Sequence, residues 1–151
     1  MTDVFIRPYE QSDWTRIAAI HDAARKIELR LAGLSDAFLP LSVAAERENL
    51  FDYTVDVAEI NGRVSGFCAY TEDELAWLYV DPALHRNGIA TALARHAMRQ
   101  KPDLRYLEVL KGNEPARRFY ETLGFHTQQE LSGRMPGNEA FPVTVYCMTK
   151  E

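Results

Sequence analysis

The chain has 151 residues, 46% of them hydrophobic and 26% charged, which is enough apolar content for one ordinary domain with a real core. Its formal net charge of −5 argues against a general nucleic-acid binder, which carries a basic surplus, and mildly favours a cationic partner such as an amine. No run approaches the ~18 apolar residues of a membrane helix, and Met1-Thr2-Asp3-Val4 has neither the basic nor the apolar region of a signal peptide. Two cysteines, Cys68 and Cys147, are too few for a disulfide framework and fit buried thiols in a reducing, cytoplasmic setting.

Val4 to Arg7 reads as a short strand stopped by Pro8. Ser12 or Asp13 can cap a helix whose apolar face is Trp14, Ile17, Ala18 and His21/Ala24; the pattern runs unevenly to Leu31 and is interrupted at Gly33. After a loop at Phe38–Leu41, Ser42 caps a second short helix reaching toward Leu50. Tyr53–Ile60 and Arg63–Thr71 form a hairpin across Asn61-Gly62, a two-residue turn signal. Glu72-Asp73-Glu74 turns the chain into Leu75–Val80, nearly all apolar, as in a central strand covered on both faces.

Gly88 to Gln100 reads as a helix with Ala90, Leu93, Ala94 and Ala97 inward, ended by Pro102. Leu104–Leu110 is a strand, and Pro115–Leu123 a short helix with Ala116, Phe119, Tyr120 and Leu123 on one face. Phe125–Leu131 and Val143–Met148 are the last strands, joined by a Gly/Pro-rich loop. The order β-α-α-β-β-β-α-β-α-β-β, without linker or repeat, predicts a single mixed α/β domain over residues 1–151.

The strand ending at Val80 and the helix opening at Gly88 enclose Ala83-Leu84-His85-Arg86-Asn87. Such a junction aims free backbone N–H groups and the positive end of a helix dipole at one point. Gly88 and Ala90 leave room for a phosphate. The segment is neither a GxGxxG dinucleotide fingerprint nor a Walker loop, which needs GK[ST].

Asp81-Pro82 followed by His85-Arg86-Asn87-Gly88-Ile89-Ala90 resembles the cofactor motif [QR]-x-x-G-x-[GA] of the GCN5-related N-acetyltransferase (GNAT) family, with His85 where that family has Gln or Arg. Asn113 to Phe125 resembles its other signature, N-x-x-A-x-x-x-Y-[x]3-G-F, with Leu107-Glu108-Val109 upstream. The resemblance implies a mixed, mostly antiparallel seven-stranded sheet with splayed parallel central strands and about four helices. It also implies acetyl-CoA as co-substrate. Its pyrophosphate would lie on the amides of His85, Arg86, Asn87, Gly88, Ile89, Ala90 and Thr91, and its pantetheine arm along Leu78, Tyr79 and Val80. Asn113, Ala116 and Tyr120 would complete that site. Leu75–Val80 and Leu104–Leu110 would be parallel neighbours, linked by the Gly88 helix, with the ligand at their C-terminal ends.

Acetyl transfer needs a neutral amine, a stabilised oxyanion and an acid for the leaving thiolate. The resemblance implies Tyr120 as the acid, with a core aromatic as the plain alternative. Glu108 is the first candidate for the base, acting through a water, with Tyr79, Glu72 and Glu74 as rivals. A backbone N–H near Val80 would bind the oxyanion. Asn113 caps the following helix, bonds the cofactor, or both; Arg117 and Arg118 reach the adenosine phosphate or form a solvated face. The acidic turn Glu72–Glu74 either draws in a cationic acceptor or is simply solvated. The four histidines show no metal-ligand spacing, so no metal is expected.

The function read from these residues is transfer of acetyl from acetyl-CoA to a primary amine by direct attack in a ternary complex. The acceptor is a small molecule or a peptide or protein amine, with no nucleic-acid or membrane partner and a homodimer left open. The alternative is a non-catalytic acyl-CoA-binding module. The acceptor pocket is expected from Ala24–Asp52, with Leu29, Leu31, Leu34, Phe38, Leu39 and Phe51 as lining or core, and from the Ser132–Phe141 loop.

Overall fold

The computed structural model describes residues 3–151; Met1 and Thr2, part of the segment read for a leader, lie outside them. Strand β1 is Phe5–Pro8, followed by helices α1 (Trp14–Leu31) and α2 (Leu41–Arg47). Three strands follow: β2 (Thr54–Ile60), β3 (Arg63–Tyr70) and β4 (Leu75–Val80). Then come α3 (Ile89–Gln100), β5 (Tyr106–Leu110), α4 (Glu114–Thr122), β6 (His126–Met135) and β7 (Asn138–Thr149). The expected order of elements holds throughout. The second helix starts two residues earlier than read, with Pro40 rather than Ser42 at its N-cap; proline's fixed φ suits a helix entry without a side-chain cap.

β1–β4 form one antiparallel sheet in chain order, and β5-β7-β6 form a second. The β2–β3 hairpin turns on Asn61 (φ 53°) and Gly62 (φ 77°), the double left-handed turn that matches strand twist. The seven strands are therefore divided between two sheets. The expected parallel neighbours β4 and β5 meet at a single parallel bridge, Glu74↔Tyr106, where the N–H groups of Arg105 and Tyr106 both donate to Asp73 O at 3.1 Å.

The last connection differs from the sequence reading. The segment read as a loop over Ser132–Phe141 is the far part of a long β6–β7 hairpin, paired from His126↔Thr149 to Met135↔Asn138 and closed at Pro136-Gly137. Its exposed, polar β6 face lacks the apolar alternation by which strands are read, and a register shift at Arg134/Met135 bends its tip.

Alternation sorts the first sheet's residues onto two faces. Val55, Val57, Phe67, Ala69 and Trp77 pack under α1 and α2 with Ile17, Ile20, Leu41 and Leu50. Ala58, Ile60, Cys68, Tyr70 and Leu75 pack under α3 with Ile89, Leu93, Ala94 and Ala97, continuous with Leu107, Val109, Phe125 and Met148 of the second sheet. The inward stripe of α3 thus begins at Ile89; Ala90, read as core, is only half-buried and borders a cleft. Cys68 and Cys147 are buried and unpaired. No helix among the described residues is long and apolar enough to cross a membrane.

Gly66 sets how close α3 sits to the sheet. A Cβ there would meet Ile89 Cγ2 and Tyr79 O at 3.0 Å and Leu93 Cδ1 at 3.1 Å. We expect Gly66→Ala to cost about 1–3 kcal/mol through overpacking, measured by denaturant unfolding. Gly133→Ala, where the new methyl meets nothing within 4 Å, should leave stability within about 0.5 kcal/mol of the parent.

Candidate active site

Beyond the Glu74↔Tyr106 bridge β4 and β5 pair no further, and the space between them opens into a cleft of about 990 Å³. A strand has hydrogen-bonding groups along both edges. β4 uses one edge on β3 and turns the other to the cleft. This corrects the picture of a strand covered on both faces: Ala76 is exposed and Leu78, Tyr79 and Val80 are half-buried.

At the C-terminal mouth, Asp81 turns the chain away from the sheet. Its carboxylate accepts from Ala83 N (3.0 Å) and from Arg16 Nη2 of α1 (2.6 Å), while Arg16 Nε donates to Val64 O (2.8 Å). Burial alone would raise this carboxyl, but the Ala83 N–H and the Arg16 guanidinium hold it below the usual range. Asn87 Nδ2 donates to Leu84 O (2.8 Å) and His85 Nδ1 to Pro82 O (3.1 Å). Arg86 (φ 71°) and Gly88 (φ 76°) both take left-handed backbone. Such alternation curls successive N–H groups into a concave nest, here at the N-terminus of α3. At Gly88 the space a side chain would fill is open.

Of the loop residues read from the sequence, His85 and Ala90 line the cleft, as do Leu78, Tyr79, Val80, Asn113, Ala116 and Tyr120. Arg86, Asn87 and Gly88 form the exposed turn. Ile89 sends its side chain into the core, leaving its backbone N–H for a ligand, and Thr91 is half-buried on the first turn. Asn113 is buried, and its Oδ1 accepts from Ala116 N at 3.3 Å; it caps α4 while facing the cleft. Tyr120 stacks edge-on against Phe119 (5.0 Å) and Phe125 (6.1 Å). Burial raises its phenol, with Glu28 and Cys68 adding to the shift, so it holds its proton at neutral pH. Arg117 lies over the Tyr146 ring (4.4 Å) and pairs with Glu114 (3.4 Å), whereas Arg118 is exposed.

The carboxylates divide by position. Glu108 lines the cleft near its closed end and accepts a hydrogen bond from the Tyr106 hydroxyl. Glu74 stands beside it, raised by burial and by the Glu108 charge. Glu72 is mostly exposed and pairs with Lys101 at 2.7 Å.

The α1–α2 side of the cleft carries residues that the sequence did not single out. Tyr79 Oη donates to Glu28 Oε1 (3.1 Å), and Glu28 also pairs with Arg25. Glu48, at the end of α2, is raised to about 7 by burial, opposed by Arg25 and aided by Glu139. A side pocket of about 110 Å³ opens beside it, lined by His21, Arg25, Leu39, Trp77, Met135 and Asn138 among others. The hairpin tip closes this end: Arg47 Nη1 donates to Gly137 O (2.9 Å) and Asn138 Nδ2 to Ala37 O (2.9 Å). Of the apolar residues expected in the acceptor pocket, Leu31 lines the cleft and Leu39 the side pocket. Leu29, Leu34 and Phe38 form a small core with Met135, and Phe51 stacks with Tyr9 and Trp14 on the surface.

The spacing of His21, Arg25 and Glu28, one turn apart on the inward stripe of α1, was the available signal for that helix. Glu48 had none, because only the hairpin tip makes it part of a site.

A cleft between diverging parallel strands, with an amide nest at its mouth, defines a mixed α/β fold with an opening at the strand ends, and comparison with known proteins names its family. The profile of the acetyltransferase (GNAT) family matches residues 14–125; the chain belongs to this family. It is 39% identical over 71 residues to the peptidyl-lysine N-acetyltransferase YiaC of Escherichia coli (strain K12). That match covers 46% of this chain and 48% of YiaC, so the chain spans about half the length of this relative. The GCN5-related N-acetyltransferase structure from Rhodopseudomonas palustris superposes with a TM-score of 0.80 at 22% identity, over 100% of this chain and 97% of that one. YncA from Salmonella typhimurium, solved with its cofactor acetyl-CoA, gives 0.65 at 18% identity, over 96% and 91%. At these identities the likeness to the two structures speaks for the fold alone.

The Arg16–Asp81 ion pair ties the nest to α1. Arg16→Met should leave the Asp81 carboxylate without its charged partner, a loss of about 1.5–3 kcal/mol. Amide exchange across residues 82–88 should then quicken by about tenfold or more relative to β2 and β3, read by hydrogen-exchange mass spectrometry.

Proposed function

We propose that the protein transfers the acetyl group of acetyl-CoA to a primary amine by direct attack in a ternary complex. The observation that carries this reading is the meeting of three features in one cleft: the nest at residues 85–88, the unpaired edge of β4, and the protonated phenol of Tyr120. The nest and the α3 dipole suit a pyrophosphate. The free edge of β4 suits the amide-bearing pantetheine arm, which would add to it like a strand. That YncA was solved with acetyl-CoA supports the same ligand here.

With the arm along β4, the thioester would lie between Val80 and Tyr120. The amine nitrogen attacks the carbonyl carbon, a backbone N–H near Val80 receives the developing oxyanion, and Tyr120 gives its proton to the sulfur as the C–S bond breaks. The acceptor would approach from the α1–α2 side, where with the hairpin's Glu139 three carboxylates, Glu28, Glu48 and Glu139, face two guanidiniums, Arg25 and Arg47, a balance that favours a cationic group. YiaC, by name, acts on peptidyl lysine, so a lysyl peptide belongs in the acceptor panel.

The direct test is thiol release from acetyl-CoA, with mass detection of product, across amino acids, polyamines, aminoglycosides, and peptides bearing a free N-terminus or a lysine. Turnover with at least one class is expected; tight acetyl-CoA binding with silence throughout would favour the binding module. Tyr120→Phe should lower turnover by about 10²-fold with acetyl-CoA affinity nearly unchanged, and weakened binding with normal turnover would remove the acid role. Gly88→Asp sets a carboxylate in the nest and strains a left-handed position, and should weaken acetyl-CoA binding by at least about tenfold in calorimetry.

A further inference from the structure

We propose that Glu48 is the group that takes the proton from the acceptor ammonium, which enters between the end of α2 and the tip of the β6–β7 hairpin. This rests on the acetyl-transfer reading above and assigns a step that reading leaves open. Glu48 follows the last turn of α2, its N–H held by Ala44 O at 2.9 Å, and Asn49 then takes left-handed backbone. The side chain lies beside Gly137 of the hairpin tip. A Cβ on Gly137 would come within 3.1 Å of Glu48 Cγ and 3.5 Å of its Oε2, so glycine at the turn is what leaves the carboxylate its space. Glu48 lines both the main cleft and the side pocket, so an acceptor spanning the two passes it.

Three of the other four cleft glutamates are otherwise committed, and the fourth, Glu74, lies at the far end. Glu28 accepts from Arg25 and Tyr79, Glu108 from Tyr106, and Glu139 Oε2 from Gly137 N at 2.9 Å. Glu74 stands beside the β4–β5 bridge, at the closed end. Glu48 has neither a hydrogen bond nor an ion pair from its carboxylate among the described residues. The groups facing it are His21, Arg25 and Glu28 of α1, Tyr79 of β4, Tyr53 before β2, Arg47 beside it and Glu139 of β7. Burial outweighs Arg25 and, with Glu139, brings the carboxyl to about 7, the range in which a base works at neutral pH.

The proton balance closes. The ammonium R–NH3+ gives one proton to the Glu48 carboxylate and attacks as R–NH2. The nitrogen sheds a second proton to solvent as the new C–N bond forms and the C–S bond breaks, and solvent returns one to the Tyr120 phenolate left when Tyr120 protonates the departing thiolate. The third stays in the amide, and Glu48 returns its proton to solvent.

Two measurements decide. In protein labelled with 13C-glutamate and free of ligand, one side-chain carboxyl should titrate near pH 7 and be missing from Glu48→Gln. If no glutamate titrates above about 5.5, against the ordinary range near 4.3, or if the high one survives in Glu48→Gln, the proposal falls. With the panel amine that the parent acetylates fastest, kcat/KM should rise with pH through 7. Glu48→Gln should lose about 10²-fold or more and lose that limb, with acetyl-CoA affinity unchanged, while Glu130→Gln, exposed on β6 and paired with Lys111, keeps both rate and limb. A limb kept in Glu48→Gln and lost in Glu74→Gln would move the role to Glu74 and overturn the proposal. Parent turnover equalled by Glu48→Gln sinks this inference alone; a parent inactive on every amine sinks the transfer reading with it.

Discussion

Everything at the site follows from one failure of pairing. β4 and β5 run parallel and touch at Glu74↔Tyr106, yet they do not continue the ladder. An unpaired strand edge has a free-energy cost unless water or a ligand satisfies it. The fold accepts that cost because the two halves are held elsewhere: β4 by β3, and β5 by β7. α3 spans the base of the divide and packs on Gly66, which sets its N-terminus at the mouth of the gap. The nest, the Asn113 cap and Tyr120 are arranged around this opening.

The half of the candidate site around the nest was open to sequence reading because its parts are local. A nest needs a glycine and a helix start within six residues, and the cap at Asn113 lies in the same segment as Tyr120. The apolar run Leu75–Val80 gave β4 its correct bounds. It could not show that one edge lies open, since an apolar strand beside a cleft and one inside a sheet share the same composition. Seven strands were counted correctly, but their division between two sheets depends on how far β4 and β5 diverge, which residue identity does not encode.

The acceptor half was hard to read for a different reason. Its surface is assembled from α1, the end of α2 and the tip of a hairpin about ninety residues later. That hairpin is polar on its outer strand, so the alternation that marks a half-buried strand was missing, and the segment read as a loop. Glu48 looks like an ordinary surface glutamate at a helix end until Gly137 is placed over it.

The tie between Arg47 and the Gly137 carbonyl, and that between Asn138 and Ala37, fasten the hairpin tip to the helices without touching the nest or β4. The two ends of the cleft are therefore mechanically separable in this molecule. Exchanging the tip, from about Met135 to Asn138, alters what fits beside Glu48 while the amides at the mouth keep their geometry. On the proposed acetyl-transfer reading, a protein built this way offers a route to new acceptors by altering one hairpin tip, with the donor half left as it stands.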